Sequence, residues 1–270
     1  MPESPEVQAL AEILDERLVT QTFAAVELEE FRALKTRARP LDELVGATVT
    51  AVRRHGKHVE IATDRASLVI SFGRAGWALL DEDSDAAVLA QLRFDSGSVL
   101  TVTDAGSFLS LGLSVVSDAG EVSSIAKLGP DPLDPAYTRE QFEAALGARR
   151  KQLRALVQEQ ESIAGIGGAY SDEILHLAKL SPVVHAADVA ADDRDRLFAA
   201  VVSVLTDAAA ARRGIPLSQQ KAAKVAAMRV HGRAGEACPV CGGTVLDVPG
   251  SKGSAQYCPQ CQTGGVPLPG

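Results

Sequence analysis

The chain opens Met1-Pro2-Glu3-Ser4-Pro5-Glu6, and near its other end four cysteines form two C-x-x-C pairs, Cys238/Cys241 and Cys258/Cys261. Removal of Met1 would leave Pro2 with a secondary amine, and a free N-terminal amine titrates at roughly pH 8, so part of it is unprotonated near neutrality. Such an amine attacks an aldehyde carbon to give an iminium, an electron sink for β-elimination. Glu3, adjoining it, could move the protons. A lone proline at position two is more often only a helix-start residue; the neighbouring carboxylate is what makes the chemistry worth pursuing. Sixteen residues separate the two cysteine pairs. That is the spacing of a four-cysteine zinc ribbon, in which each pair caps a hairpin and four thiolates complete a tetrahedron. Pro239, Gly242, Gly243 and Pro259 supply the tight turns such knuckles need. With every coordination position taken by sulfur, the role expected of one zinc ion is structural.

These residues must be positioned by something, and 270 residues with 46% hydrophobic content can build two or three domains. No apolar run has the length of a membrane span, and no secretory signal opens the chain, so a cytoplasmic protein is expected. Cysteines stay reduced there, which favours metal over disulfide. The net charge of −8 argues mildly against nucleic acid, but the charge is segregated. Acids gather at Glu27–Glu30, Asp81–Asp85 and Asp188–Asp195, and bases at Arg32–Arg39, Arg53-Arg54-His55-Gly56-Lys57, Arg149–Lys151 and Lys221–Arg233. Local basic clusters are what phosphate binding requires, although ordinary solvated faces look the same in sequence.

Val7, Leu10, Ala11, Leu14 and Leu18 recur at helical spacing, so Glu6–Leu18 is an amphipathic helix with Pro5 at its first turn. Short β-branched runs then follow, among them Thr48–Val52, Val59–Ala62, Ser67–Phe72 and Ser98–Val102, which predict an antiparallel sandwich or barrel up to about Val116. The connector Leu128-Gly129-Pro130-Asp131-Pro132-Leu133-Asp134-Pro135 marks a boundary. Helical patterns succeed it at Arg139–Leu146, Lys151–Gln158, Ser171–Leu180 and Ala191–Ala211, with Gly165-Ile166-Gly167-Gly168 as a tight turn. The last segment is turn-rich and needs a metal staple to stay folded. The expected fold is a multidomain α+β chain: residues 1–116 an N-terminal helix and antiparallel β-sandwich, 117–135 a linker, 136–227 helical, and 228–270 a zinc ribbon.

Read together, the motifs resemble the Fpg/Nei (formamidopyrimidine-DNA glycosylase and endonuclease VIII) family, as a divergent bacterial member. Pro2-Glu3-x-Pro5-Glu6 is similar to the family's catalytic start, and Arg53-Arg54-His55-Gly56-Lys57 to its R-R-x-G-K loop. Leu128–Leu133 resembles the signature before the helix–two-turn–helix element, and Ala164–Leu175 the element itself; the ribbon with Tyr257-Cys258-Pro259 completes the order. The resemblance implies a bifunctional DNA glycosylase and AP lyase that removes oxidised bases. Pro2 would be nucleophile, Glu3 general acid/base and Lys57 a supporting base or charge stabiliser. Glu6 would steady the N-terminal helix at the DNA site, and the amides of Gly165, Gly167 and Gly168 would face a phosphate. Damaged double-stranded DNA is the implied partner, bound by a monomer. Relatives carry an asparagine where this chain has Gly168, a loss of about 1.5–3 kcal/mol if nothing replaces it. They also carry an arginine where it has Gly253, leaving Lys252 as the nearest base. The residues that fill the hole left by a flipped base are altered too, with Arg74 and Phe108 as candidates. Two further readings stay open: a lesion-binding protein with weakened catalysis, and an AP lyase without glycosylase activity.

Overall fold

The computed structural model describes residues 1–269 and divides the chain into two compact units, Met1–Lys127 with Arg212–Lys221, and Leu128–Ala211 with Ala222–Gly270.

In the first unit, α1 (Ser4–Leu18) buries Val7, Leu10, Ala11, Leu14 and Leu18, the stripe that its spacing prescribes. Two four-stranded antiparallel sheets follow. One has the order β1 (Phe23–Leu28), β6 (Ala87–Phe94), β7 (Val99–Asp104), β5 (Gly76–Leu80). The other runs β2 (Val49–His55), β3 (His58–Thr63), β4 (Ser67–Ser71), β8 (Gly112–Val116). Their inner faces share one core, with Phe23, Ile61, Leu68, Ile70, Leu92, Leu100, Val102 and Leu113 packed beside the α1 stripe. Val49/Ala51 of β2 forms an irregularity, and beyond it the Val52 amide donates to Asp15 Oδ1 at 2.7 Å. Arg54 Nε donates to Gln8 Oε1 at 2.7 Å. These two bonds lock β2 along α1, so the start of the helix and the hairpin after β2 lie at the same end of the unit. Segment Arg212–Lys221 is pinned here as well: Trp77 Nε1 donates to the Leu217 carbonyl at 2.9 Å, and Glu82 accepts from the Leu217 and Ser218 amides at 2.9 and 3.0 Å. A short helix, α2 (Ser123–Ala126), precedes the boundary at Lys127.

The second unit is helical, with α3 (Arg139–Leu146), α4 (Leu153–Val157), α5 (Gly168–Ala178) and the long α6 (Ala191–Arg212), whose last residue returns to the first unit. Phe142, Leu156, Ile166, Tyr170, Ile174, Leu197 and Val201 make its core. Thr138 caps α3 through a capping box with Gln141. The sequence reading missed α7 (Gln220–Ala227), because its buried positions are Gln220 and Lys224 while Val225 is exposed; an inverted pattern hides the helical period. The hairpin β9 (Leu246–Asp247) and β10 (Gln256–Tyr257) and the one-turn α8 (Pro259–Gln262) form the ribbon. No helix among the described residues is long and apolar enough to cross a membrane.

Candidate functional site

At the N-terminus, Glu3 is the N-cap of α1 in extended backbone, and it is only 1% exposed. It forms a capping box with Glu6: the Glu3 amide donates to Glu6 Oε2 at 3.1 Å, and the Glu3 side chain accepts from the Glu6 amide. Glu6, also buried, therefore serves to hold this turn; its carboxylate faces the chain's own backbone. Half-buried Pro2 stands immediately before the box, with exposed Met1 ahead of it. A dry carboxylate fixed beside the residue that would carry the amine is what proton transfer in an iminium reaction needs.

The β2–β3 hairpin presents Lys57. Its two-residue turn pairs His55 with His58 and places Gly56 at φ +55°, which glycine tolerates at the first central position. The turn is anchored on both flanks. Arg54 Nη1 donates to the Gly56 carbonyl at 3.0 Å, and His55 Nε2 lies 2.8 Å from buried Glu60 Oε2. Burial raises the Glu60 pKa, but hydrogen bonds from His55 and Ser67 outweigh it and hold the carboxyl below its usual value. Burial pushes His58 downward, toward the neutral ring, with its Nε2 3.0 Å from the Ser124 hydroxyl.

Arg74 and Phe108, far apart in sequence, come together on adjoining loops. The Arg74 amide donates to Ser110 Oγ at 2.9 Å, and the Ala105 amide to the Ala75 carbonyl at 3.2 Å. Asp104 organises the second loop by accepting from the amides of Gly106, Ser110 and Leu111 at 2.8, 2.9 and 3.2 Å. Phe108 projects from it, 86% exposed. Asp104 carries no role in the sequence reading; its Asp-x-Gly spacing is the one local signal that points to it.

In the second unit, the glycine turn leads into α5, with Gly167 as N-cap and Gly168 the first helical residue. Gly165 departs from the expectation of an outward amide: it donates to Gln160 Oε1 at 2.9 Å and, at φ +87°, shapes the turn. The neighbouring acids of α5 were not singled out from sequence, yet both are hubs. Glu173 accepts from the amides of Arg229, Val230 and His231, each at 2.9 Å. Asp172, fully buried, accepts from Arg154 Nε at 2.6 Å, binds His231 Nδ1 at 2.7 Å, and accepts from the Gln256 amide at 3.1 Å. They tie the glycine turn to the ribbon. At the ribbon's tip, Lys252 and Gly253 sit at φ +53° and +76°. An arginine at 253 would be strained in that conformation.

The four cysteine sulfurs lie within 4.8 Å of one another, with Cys238–Cys261 at 3.9 Å and Cys241–Cys258 at 3.4 Å. Sulfurs about 2.3 Å from a tetrahedral zinc stand about 3.8 Å apart, so the donor set fits one such ion. The Gly243 amide donates to Cys241 Sγ at 3.4 Å, which pulls that thiol down to about 7 and favours the thiolate a metal takes. His176, buried on α5, places Nε2 3.3 Å from Cys238 Sγ and braces the cluster from behind.

A helix-headed β-sandwich, a glycine-turn helical region and a four-cysteine ribbon define a class that comparison with known proteins identifies. Residues 1–111 match the formamidopyrimidine-DNA glycosylase N-terminal domain, and residues 128–219 match the H2TH domain of the same enzymes. The formamidopyrimidine-DNA glycosylase of Paracoccus denitrificans is 33% identical over 97% of this chain and 100% of its own length. An uncharacterised formamidopyrimidine-DNA glycosylase-like protein of Mycobacterium tuberculosis is 43% identical over 52% of this chain and 88% of its own. The Lactococcus lactis Fpg (MutM) bound to FAPY-dG-containing DNA superposes with a TM-score of 0.85 over 96% of this chain and 99% of that one, and at 24% identity it bears on the fold. The chain belongs to the formamidopyrimidine-DNA glycosylase family of DNA repair proteins.

Proposed function

We propose that the protein is a bifunctional DNA glycosylase and AP lyase that acts on oxidised bases in duplex DNA. The observation that carries this reading is the buried Glu3–Glu6 box set directly behind Pro2, in a chain of this family. Once Met1 is removed, the Pro2 nitrogen attacks C1′ of the damaged nucleotide, and the base departs with the electron pair of the N-glycosyl bond. The Pro2 nitrogen then loses its proton and the C1′–O4′ bond opens to give the iminium, with Glu3 supplying the proton to the sugar ring oxygen or to the leaving base. Loss of a C2′ proton from the resulting iminium then expels the 3′ phosphate. Lys57 serves as a supporting base or charge stabiliser on its anchored hairpin, while Arg74 and Phe108, on their joined loops, fill the space left by the flipped base.

The work divides along the segments expected from sequence: 1–116 for chemistry, 117–135 as linker, and 136–227 with 228–270 for holding the DNA. Gly167, Gly168 and Lys252 are the expected backbone contacts. One zinc held by Cys238, Cys241, Cys258 and Cys261 keeps the ribbon folded. The protein acts as a monomer in the cytoplasm.

The test is borohydride trapping on abasic-site duplex, with the protein's terminus checked by mass spectrometry. A covalent adduct that disappears in Pro2→Gly is expected. Binding without any adduct from protein lacking Met1 would favour a lesion-binding protein over an enzyme. Trapping on abasic DNA with no excision of 8-oxoguanine or oxidised pyrimidines would leave only the lyase.

A further inference from the structure

His176 lies on α5, about two turns after the glycine that opens that helix, and is 3% exposed. Its Nε2 stands 3.3 Å from Sγ of Cys238, a residue 62 positions further along the chain. Nδ1 is buried and meets no partner. A neutral imidazole carries one proton, on whichever nitrogen has an acceptor to receive it. Only Nε2 has one. On Nδ1 the proton would be a buried donor with nothing opposite, and the bare Nε2 would turn its lone pair toward sulfur.

The cysteines are not equally supplied with donors. Cys241 is exposed and takes the Gly243 amide of its own knuckle. Cys238 is 2% exposed, and among the described residues no backbone amide donates to its sulfur. Four thiolates around one zinc ion carry excess negative charge, and at a buried sulfur water cannot share it. The ring of His176 is the group placed to do so.

We propose that His176 helps retain the metal by donating its Nε2 proton to the zinc-bound Cys238 thiolate; this rests on the reading of the four cysteines as a zinc site. Zinc binding sends the Cys238 thiol proton to solvent, while the ring keeps its own proton and takes no coordination position. Because His176 is carried by the helix that opens with the glycine turn, the bond also ties that helix to the metal centre. A histidine that only filled space would be replaceable by phenylalanine, and nothing would require a nitrogen aimed at sulfur.

The experiment compares the full-length, zinc-loaded protein with His176→Phe and His176→Gln, and reads the transfer of zinc to a competing chelator. Phenylalanine keeps the ring's bulk and loses the donor, whereas glutamine keeps an N–H and loses the ring. His176→Phe should bind zinc about 10–100-fold more weakly. His176→Gln should stay nearer to wild type, an order that a packing role would reverse. In zinc-loaded wild type labelled with nitrogen-15, the ring shifts should place the proton on Nε2. In the cadmium-113 form that proton should couple to the metal through sulfur. A folded His176→Phe that retains zinc as wild type does, or a proton found on Nδ1, overturns the proposal and leaves the zinc reading standing. Should His176→Phe fail to fold, the wild-type ring spectra decide alone. Wild type that could not be loaded with tightly bound zinc would overturn both.

Discussion

Asp104 shows how one side chain sets a loop. Only 5% exposed, it would be driven to a higher pKa by burial, yet three amides and the Ser110 hydroxyl outweigh this and hold the carboxyl below its ordinary value. A carboxyl depressed in the folded state contributes stability above its unfolded value, about 3.9, and that contribution is lost as pH falls through the lower folded value. The amides of Gly106, Ser110 and Leu111 should therefore lose hydrogen-exchange protection below about pH 4. In Asp104→Asn they should be poorly protected even at neutral pH. Equal protection in the variant and wild type at pH 7 would show that the carboxylate does not organise this loop.

Among elements, the 72–76 turn and the 104–111 loop act as one piece. Gly73 stands at φ +58°, and a Cβ there would come within 2.3 Å of the Ser110 carbonyl oxygen. Gly73→Ala must push the two loops apart as well as strain the backbone. Gly97, at φ +90° with nothing within 4 Å, supplies the control that carries the strain alone. Thermal unfolding should report about 1 kcal/mol lost in Gly97→Ala and about 2–3 kcal/mol in Gly73→Ala. Only the second should weaken binding to abasic duplex, because only it separates Arg74 from Phe108. Matching losses in the two variants would mean that the loops are independent.

At the scale of the molecule, each unit has its own core, and the ribbon has very little of one. Val230, Cys238, Val245 and Cys258 form one small cluster and Val248, Ala255 and Tyr257 another, too little apolar burial to hold residues 228–269 without metal. Trp77, the single tryptophan, belongs to the first unit and reports on it alone. Cys258→Ser, or chelation, should release the metal and abolish DNA binding while leaving Trp77 emission and the unfolding of the first unit unchanged. Tight binding by metal-free protein would remove the ribbon from the interface.

The parts legible without coordinates are those written in a few consecutive residues. The Pro2-Glu3 start, the amphipathic period of α1, the Gly56-Lys57 turn, the 165–168 glycines and the two C-x-x-C knuckles each set local geometry through backbone preference or ligand spacing, so neighbours in sequence suffice to read them. Other features needed the chain to return on itself. Arg74 meets the loop of Phe108 through Ser110, 36 residues away, and Arg154 reaches Ser254 across 100 residues. Gln220 and Lys224 are buried where periodicity would place apolar groups. Contacts of that kind are decided by which surfaces the packed elements bring together, and composition and spacing along a strand or helix contain no record of that choice.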